Sequence, residues 1–255
     1  MLKGLLLAFR TYSRIPVPVT QWDASSMRYA LCFFPLVGAV IAAVQFLWMW
    51  IASVLHCGQI VYGAVACAIP LLITGGIHMD GYCDTVDALS SQQGRERRLE
   101  ILKDPHAGAF AVIFAGIWLV VCFACFASIS TYQNLWIIGF GYILSRALSG
   151  LAVVTFPGAR KKGMLGSFAG SADRGSVIAA MLAYILISII FLVILGGWRG
   201  VIAAVVDLVV FWYYHHSSMR KFGGITGDLA GWFVQMAELG TVLVCALLQN
   251  VGTHI

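Results

Sequence analysis

The chain has 255 residues, 60% of them hydrophobic and 11% charged, with eight Trp and fifteen Phe and a mean hydropathy of +0.89. That composition excludes a soluble globular domain and predicts an integral membrane protein. The net charge of +5 does not point to nucleic acid, because the basic residues fall in four separated segments and form no stripe.

At the N-terminus, MLKGLLLAFRTYSRIP begins as an apolar run, but Arg10 cuts it short and no small-residue cleavage site follows. This argues against a removed signal peptide and predicts a short amphipathic helix at the membrane surface. Crossing about 30 Å of hydrocarbon takes roughly 17–25 helical residues. Seven apolar runs meet that length: 34–55, 60–77, 108–129, 134–156, 176–197, 199–215 and 229–249. The shortest, 60–77 and 199–215, read as tilted neighbours, or one of them as re-entrant.

If the spans alternate, Lys3, Arg10, Arg14, Arg28, Arg95, Arg97, Arg98, Lys103, Arg160, Lys161, Lys162, Arg174, Arg220 and Lys221 share one side, and Arg199 is alone on the other. The positive-inside rule makes the first side cytoplasmic. The expected fold class is therefore all-α: a polytopic membrane helix bundle of about seven transmembrane helices plus the N-terminal interfacial helix. It forms one domain over residues 1–255 in the inner (cytoplasmic) membrane. The basic excess serves topology and contact with an anionic lipid bilayer as readily as an anionic substrate. The seven cysteines, Cys122 and Cys125 included, lie mostly in apolar runs and read as small core residues.

The loops at 56–59, 128–134 and 196–200 are short and almost uncharged. The cytoplasmic loops carry Asp23, Asp80, Asp84, Asp87, Glu96, Glu100, Asp104, Asp173 and Asp228, which places any chemistry on that face. GGIHMDGYCDTVDAL, residues 75–89, spaces Asp80, Asp84 and Asp87 at i, i+4 and i+7, one face of a helix that continues past residue 77. Like charges at that spacing cost about 0.2–0.5 kcal/mol per pair in water, so a cation is the expected partner. Mg²⁺ takes oxygen ligands and bridges carboxylates to substrate phosphates. A solvated helix face at the membrane edge is the plainer reading; three acids beside Gly75, Gly76 and Gly81 favour a metal site.

GGITGD, residues 223–228, repeats the Gly-Gly-Ile-x-x-Asp form of GGIHMD. The two motifs fall at the inner ends of different spans, so Asp80, Asp84, Asp87 and Asp228 are the candidate metal ligands. Gly75, Gly76, Gly223 and Gly224 would let backbone approach a phosphate closely, with helix N-termini attracting the anion. A tight turn before a membrane helix is the alternative. Asp104 is either an N-cap of the third span, with Pro105 at the first helical position, or part of the site. His78 could orient a carboxylate or assist proton transfer, or be hydrogen-bonded structure only. Glu238 lies ten residues after Asp228, about 15 Å deeper along a helix, and is expected to pair with Arg146 in the bundle interior. Both are kept as candidate substrate contacts, His215 and His216 read as interfacial, and Asp207 has no assignment.

The blocks GGIHMDGYCDTVDAL, RERRLEILKDPHAGAF, SRIPVP, RYALCFFPLVGAVI, ARKKGMLGSF and GGITGDLAGWFVQMAEL together resemble the cobalamin synthase (adenosylcobinamide-GDP ribazoletransferase) family over nearly the whole chain. The resemblance implies a multi-pass inner-membrane transferase of cobalamin biosynthesis. Such an enzyme joins adenosylcobinamide-GDP to α-ribazole or its 5′-phosphate, releases GMP and needs Mg²⁺. The family usually has Asp-Ser-Arg-Ile-Gly where this chain has Asp104, Pro105, His106, Ala107 and Gly108, and a Gly where it has Ala88. With no Arg at 106, either another base such as Arg14, Arg28 or Arg160 carries phosphate binding or activity is altered. In the implied reaction the ribazole 5′-hydroxyl attacks the phosphate attached to cobinamide. Asp80, Asp84 and Asp228 would hold the metal, and Asp87 or Asp104 would complete the site or accept the proton. The rival readings are a CDP-alcohol phosphotransferase, a membrane prenyltransferase, and a transporter lined by Asp207, Glu238 and Arg146; homo-oligomerisation is left open.

Overall fold

The computed structural model describes residues 1–18, 24–129, 131–160, 164–249 and 251. Asp23, Lys161 and Lys162, counted above among the charges of one face, lie outside the described residues. Among the described residues the fold is helical, and the only strand-like pairing is a single parallel bridge between Gly158 and Ile225.

Helix α1 (Leu2–Tyr12) is amphipathic and buries Gly4, Leu7 and Ala8. It packs against a short helix α2 (Ala24–Met27) and a 3-10 turn (Ala30–Phe33) that leads into α3 (Phe34–Val54). Its chain continues to Arg14, whose N–H donates to the Ile73 carbonyl (2.7 Å) at the end of α4 (Gln59–Thr74). The N-terminal segment thus closes over one end of the bundle.

Among the described residues five helices, α3 with its 3-10 turn, α7 (Ala109–Ser128), α8 (Tyr132–Thr155), α10 (Arg174–Phe222) and α11 (Gly227–Leu248), are long and apolar enough to cross a membrane, whereas α6 (Arg95–Ile101) and α9 (Met164–Ser171) are short. The expected span 60–77 ends early. Gly75 and Gly76 both take left-handed backbone, at φ 65° and 78°, which side chains with a Cβ adopt only at a cost. The chain turns 93° there into α5 (Ile77–Ser90). Helix α5 therefore runs nearly at right angles to α4.

Helix α10, with 49 residues, would extend about 74 Å if straight, more than twice the hydrocarbon thickness. It breaks at Gly197 (φ 57°, ψ −142°). Beyond the break Gly200 lies against the Leu192 carbonyl, eight residues back and about 12 Å away in a continuous helix. Met181 meets Gly150 and Phe211 meets Phe156 (5.4 Å between ring centroids), both near the same end of α8. The chain has reversed, so the two halves of α10 are the two spans expected on either side of residue 198.

Helix α8 sits at the centre, packed on α3, both halves of α10, and α11. The helices α7 and α10 turn much of their apolar surface outward, including Val112, Val120, Leu186, Ile194 and Val209, as lipid contact requires. Some polar groups inside the bundle bond across helices. Gln45 donates to the Ala66 carbonyl (2.8 Å) and Trp118 to the Gln235 carbonyl (3.2 Å). Asp207 is buried and accepts from Thr241 (3.0 Å). All seven cysteines are free; Cys67, Cys122, Cys125 and Cys245 are buried, as expected of core residues, whereas Cys32, Cys57 and Cys83 are half-buried.

Candidate active site

The two Gly-Gly corners meet at one end of the bundle. Gly223, at the end of α10, is also left-handed (φ 73°), and Gly224 follows at φ 154°. Ile225 then pairs with the segment after α8: its N–H donates to the Pro157 carbonyl (2.9 Å), and its carbonyl accepts from Ala159 (2.9 Å). Thr226 caps α11 by accepting from the Leu229 N–H (3.2 Å). Asp228 thus sits in the first turn of a helix whose start is fixed from three sides.

Helices α5 and α11 cross at glycines. A Cβ on Gly81 would lie 2.7 Å from the Asp228 carbonyl oxygen and 2.9 Å from its Cα; one on Gly231 would lie 3.0 Å from the His78 carbonyl oxygen. Only hydrogen at both positions lets the backbones approach this closely. Asp80, Asp84 and Asp228 are gathered by that crossing. The Asp84 carboxyl is pushed up to about 7 by burial first, then by the charges of Asp80, Asp228 and Asp87. Like-charge crowding of this kind makes a positively charged group the natural partner of the cluster. Asp80 and Asp228 line a cavity of about 290 Å³ whose wall also carries Arg160, Thr226, His78, Ser149 and the apolar side chains of Tyr12, Leu31, Phe34, Leu165 and Phe168. Arg160 faces Asp228 electrostatically and reaches the Leu99 carbonyl at the end of α6 (Arg95–Ile101).

Other expected site residues have partners elsewhere. Asp87 accepts from the backbone N–H of Gly108 (2.7 Å) and of Ala111 (2.9 Å), so both its oxygens cap the N-terminus of α7. The sequence offered Asp104 either as that cap or as part of the site. Instead it lies exposed in the turn before α7, bound to the His106 N–H (3.0 Å) and ring (2.8 Å), and those bonds lower its carboxyl from the ordinary value. The cap comes from another helix because α7 starts at Ala109, four residues beyond Pro105. Arg28 is paired with Asp173 (2.8 Å) at the start of α10. Arg146 and Glu238 form the expected ion pair, at 2.5 Å and almost wholly buried, and the Arg146 guanidinium also donates to the Tyr142 carbonyl (2.9 Å). Arg14 lies against Gly75, beside the first corner.

Among the described residues, no three side chains from His, Cys, Asp and Glu converge closely enough to hold an ion by themselves. Hard divalent cations at phosphoryl-transfer sites commonly take one or two carboxylates and complete their shell with water and substrate phosphate. One or two of Asp80, Asp84 and Asp228 would suit that pattern.

Three features escaped the sequence. Arg95 lies against Gly223 as Arg14 does against Gly75, yet the run RERR carries no signal beyond its charge. Tyr12, Phe34 and Phe168 reach the cavity from remote parts of the chain. Thr226 did carry a signal, a Thr just before a helical Gly-Asp.

A polytopic helical bundle with paired glycine corners, clustered carboxylates and arginines at one end has the make-up of a membrane protein that handles phosphate groups. The family model described as cobalamin-5-phosphate synthase matches residues 4–246, and the chain belongs to that family. It is 45% identical to an adenosylcobinamide-GDP ribazoletransferase of Lachnoclostridium phytofermentans over 98% of this chain and 95% of that one. It is 31% identical to a protein of the same name from Clostridium botulinum, covering 94% and 95% of the two chains. A third, from Pseudomonas syringae pv. syringae, is 34% identical over 86% of this chain and 88% of its own. No solved structure matches the chain.

Proposed function

We propose that the protein transfers the cobinamide-phosphate group of adenosylcobinamide-GDP to a ribose hydroxyl of α-ribazole or its 5′-phosphate, releasing GMP, at the cytoplasmic face of the inner membrane. Family membership and the printed names of the relatives support the reaction. The observation that carries the site is the seating of Gly81 on the Asp228 backbone, which joins the acids of the two Gly-Gly motifs. Gathering basic residues on that same face supports its cytoplasmic orientation.

In the reaction the oxygen of a free ribose hydroxyl forms a bond to the phosphorus bearing cobinamide; the 5′ position expected from the sequence cannot serve for both acceptors, because in the 5′-phosphate it is already esterified. The bond from that phosphorus to the bridging oxygen breaks, and the electron pair leaves with GMP. The hydroxyl proton passes to a carboxylate of the cluster. Asp80, Asp84 and Asp228 would hold Mg²⁺, whose charge offsets that developing on the transferred group and the leaving phosphate. Arg160 is placed to bind phosphate oxygens beside Asp228, and Arg14 and Arg95 flank the two corners. Asp87 acts as the brace that ties α5 to α7, while Arg28 serves the fold through Asp173.

GMP release from adenosylcobinamide-GDP and α-ribazole, measured with purified protein in lipid nanodiscs, tests the reading. Activity is expected to disappear with a chelator and return with Mg²⁺. Asp84→Asn should lose at least about a hundredfold in rate, as for loss of a main electrostatic contributor, while still inserting in the membrane. Unchanged Mg²⁺-dependent turnover in that variant would remove Asp84 from the site.

A further inference from the structure

The two Gly-Gly corners are not equivalent. At the first, the stem of Arg14 fills the space a side chain at Gly75 would take, with Nε, Cγ and Cδ nearest. At the second, the guanidinium of Arg95 does so: a Cβ on Gly223 would meet Cζ first and then Nη1 and Nη2 at equal distance. Only a guanidinium lying face-on to the glycine gives that order. Its N–H donors lie in the plane of the group, so they point past the corner rather than at it. A cation at a helix C-terminus often serves the last carbonyls, but α10 closes its own end. The Gly223 N–H donates to the Met219 carbonyl (3.2 Å) and the Gly224 N–H to the Ser218 carbonyl (3.2 Å). Arg97 of the same helix as Arg95 pairs with Glu100 (2.8 Å), whereas the exposed Arg95 guanidinium makes no ion pair or hydrogen bond among the described residues. Farther along α6, Arg160 holds the Leu99 carbonyl, and the segment before Arg160 is tied to the corner by the two bonds of Ile225. Gly223 is two residues, at most about 7 Å, from Ile225, which lines the cavity with Arg160 and Asp228.

Resting on the transferase reading above, we infer that Arg95 binds the phosphate of the departing guanosine monophosphate, which is the outer phosphate of adenosylcobinamide-GDP before the bond breaks. A diphosphate is the short, doubly charged group that reaches from the carboxylates to this corner. With the cobinamide-bearing phosphorus at the acidic cluster, the second phosphate passes Arg160 and meets the N–H edge of Arg95. As the bond to the bridging oxygen breaks, the electron pair stays on that phosphate. Arg95 offsets the added charge without giving up a proton, because a guanidinium stays protonated. Attacking and leaving oxygens lie roughly in line across the phosphorus, so a group held at the second corner is opposite the acceptor. Arg95 and Arg160 together serve the second corner and Arg14 the first, and the heavier basic charge suits the donor's diphosphate. Exposure of Arg95 leaves the nucleotide a way out to water. Gly223 is then required twice, for its φ of 73° and for the space the guanidinium occupies.

The test is equilibrium binding of GMP to the full-length protein in nanodiscs, followed by steady-state kinetics. Arg95→Gln should weaken GMP binding and raise the KM for adenosylcobinamide-GDP by about tenfold or more, the scale of one lost charge-assisted contact. The acceptor KM should stay unchanged, and Arg95→Lys, which keeps the charge but loses the fork, should recover part of the affinity. Arg97→Gln, which breaks the pair with Glu100 on the same helix, should bind GMP as the wild type does. Unchanged GMP affinity in Arg95→Gln, or a rise confined to the acceptor KM, overturns the inference. Modification of wild-type arginines by phenylglyoxal, read by peptide mass spectrometry, needs no variant. GMP should protect Arg95 and leave Arg97 reactive; Arg95 labelled equally with and without GMP, or protected by α-ribazole 5′-phosphate instead, sinks the inference. GMP release by the wild type alongside those negative results leaves the transferase reading standing, whereas protection of Arg95 by GMP without GMP release from the corrinoid substrate overturns that reading alone.

Discussion

Replacing Gly81 with alanine probes the contact on which the site depends. The added Cβ would meet the Asp228 carbonyl oxygen at 2.7 Å and its Cα at 2.9 Å, against 3.4 Å for an ordinary contact, so 0.5–0.7 Å must be recovered. The obstacle is backbone, which cannot swing aside as a side chain does. Helices α5 and α11 must separate by roughly that amount, at about 1–3 kcal/mol in stability. Catalytic groups need placing within about 0.5 Å, and a displacement of about 1 Å costs about a hundredfold; a loss of ten- to hundredfold in GMP release is therefore expected. Gly231→Ala, whose Cβ would meet the His78 carbonyl oxygen at 3.0 Å, should do the same more mildly. Gly116, inside α7, has nothing within 4 Å of an added Cβ, and its alanine variant should keep activity and gain about 0.5–1 kcal/mol. Activity in nanodiscs and thermal melts of all three variants give the ranking. Full turnover in Gly81→Ala, or a worse result for Gly116→Ala, would refute the claim that this crossing sets the site.

Asp87→Ala removes the cap on α7 and should cost about 1–2 kcal/mol without changing the Mg²⁺ concentration for half-maximal activity, whereas Asp80→Asn should raise that concentration; metal titrations separate the two. Glu238→Leu strands the buried Arg146 guanidinium and should lower stability by about 3–5 kcal/mol, with the double variant Arg146→Met and Glu238→Leu recovering most of it, as followed by thermal unfolding in detergent. Asp173 is held down at about 2 by the Arg28 side chain first and by the Ser176 backbone N–H second. Because the folded value is below the unfolded one near 4, the staple contributes fully above pH 4 and is lost as pH falls through about 2. Melting temperatures between pH 5 and 2 should show a slope that Arg28→Ala largely abolishes and salt weakens.

The apolar runs were legible because hydrocarbon imposes length: a run of about twenty apolar residues has few other uses; against the seven spans expected, five helices, α10 counted once, pass that test among the described residues, or six if α4 and α5 together make one span. The break between spans five and six was marked by Gly196 and Gly197, and α10 does turn back at Gly197. Helix ends were less legible. The second span read through to residue 77, although the chain leaves the helix at Gly75, because hydropathy does not register left-handed backbone. Asp104 before Pro105 carried a cap signal, yet the carboxylate of Asp87 took that role from another helix, a choice settled by packing and invisible to local rules.

The order of apolar runs, the charge bias between loops and the matching Gly-Gly-Ile-x-x-Asp motifs were determined by the sequence alone, since each follows from local chemistry or from the thickness of a bilayer. Which motif residues meet was decided only by the tertiary structure. The glycine crossing of α5 and α11 brings Asp228 to Asp80 and Asp84, sends Asp87 to α7, and lets Tyr12, Phe34 and Phe168 wall a cavity beside them. Contacts between residues a hundred or more positions apart depend on how close two backbones can come, and that distance is set by the absence of a side chain at Gly81 and Gly231.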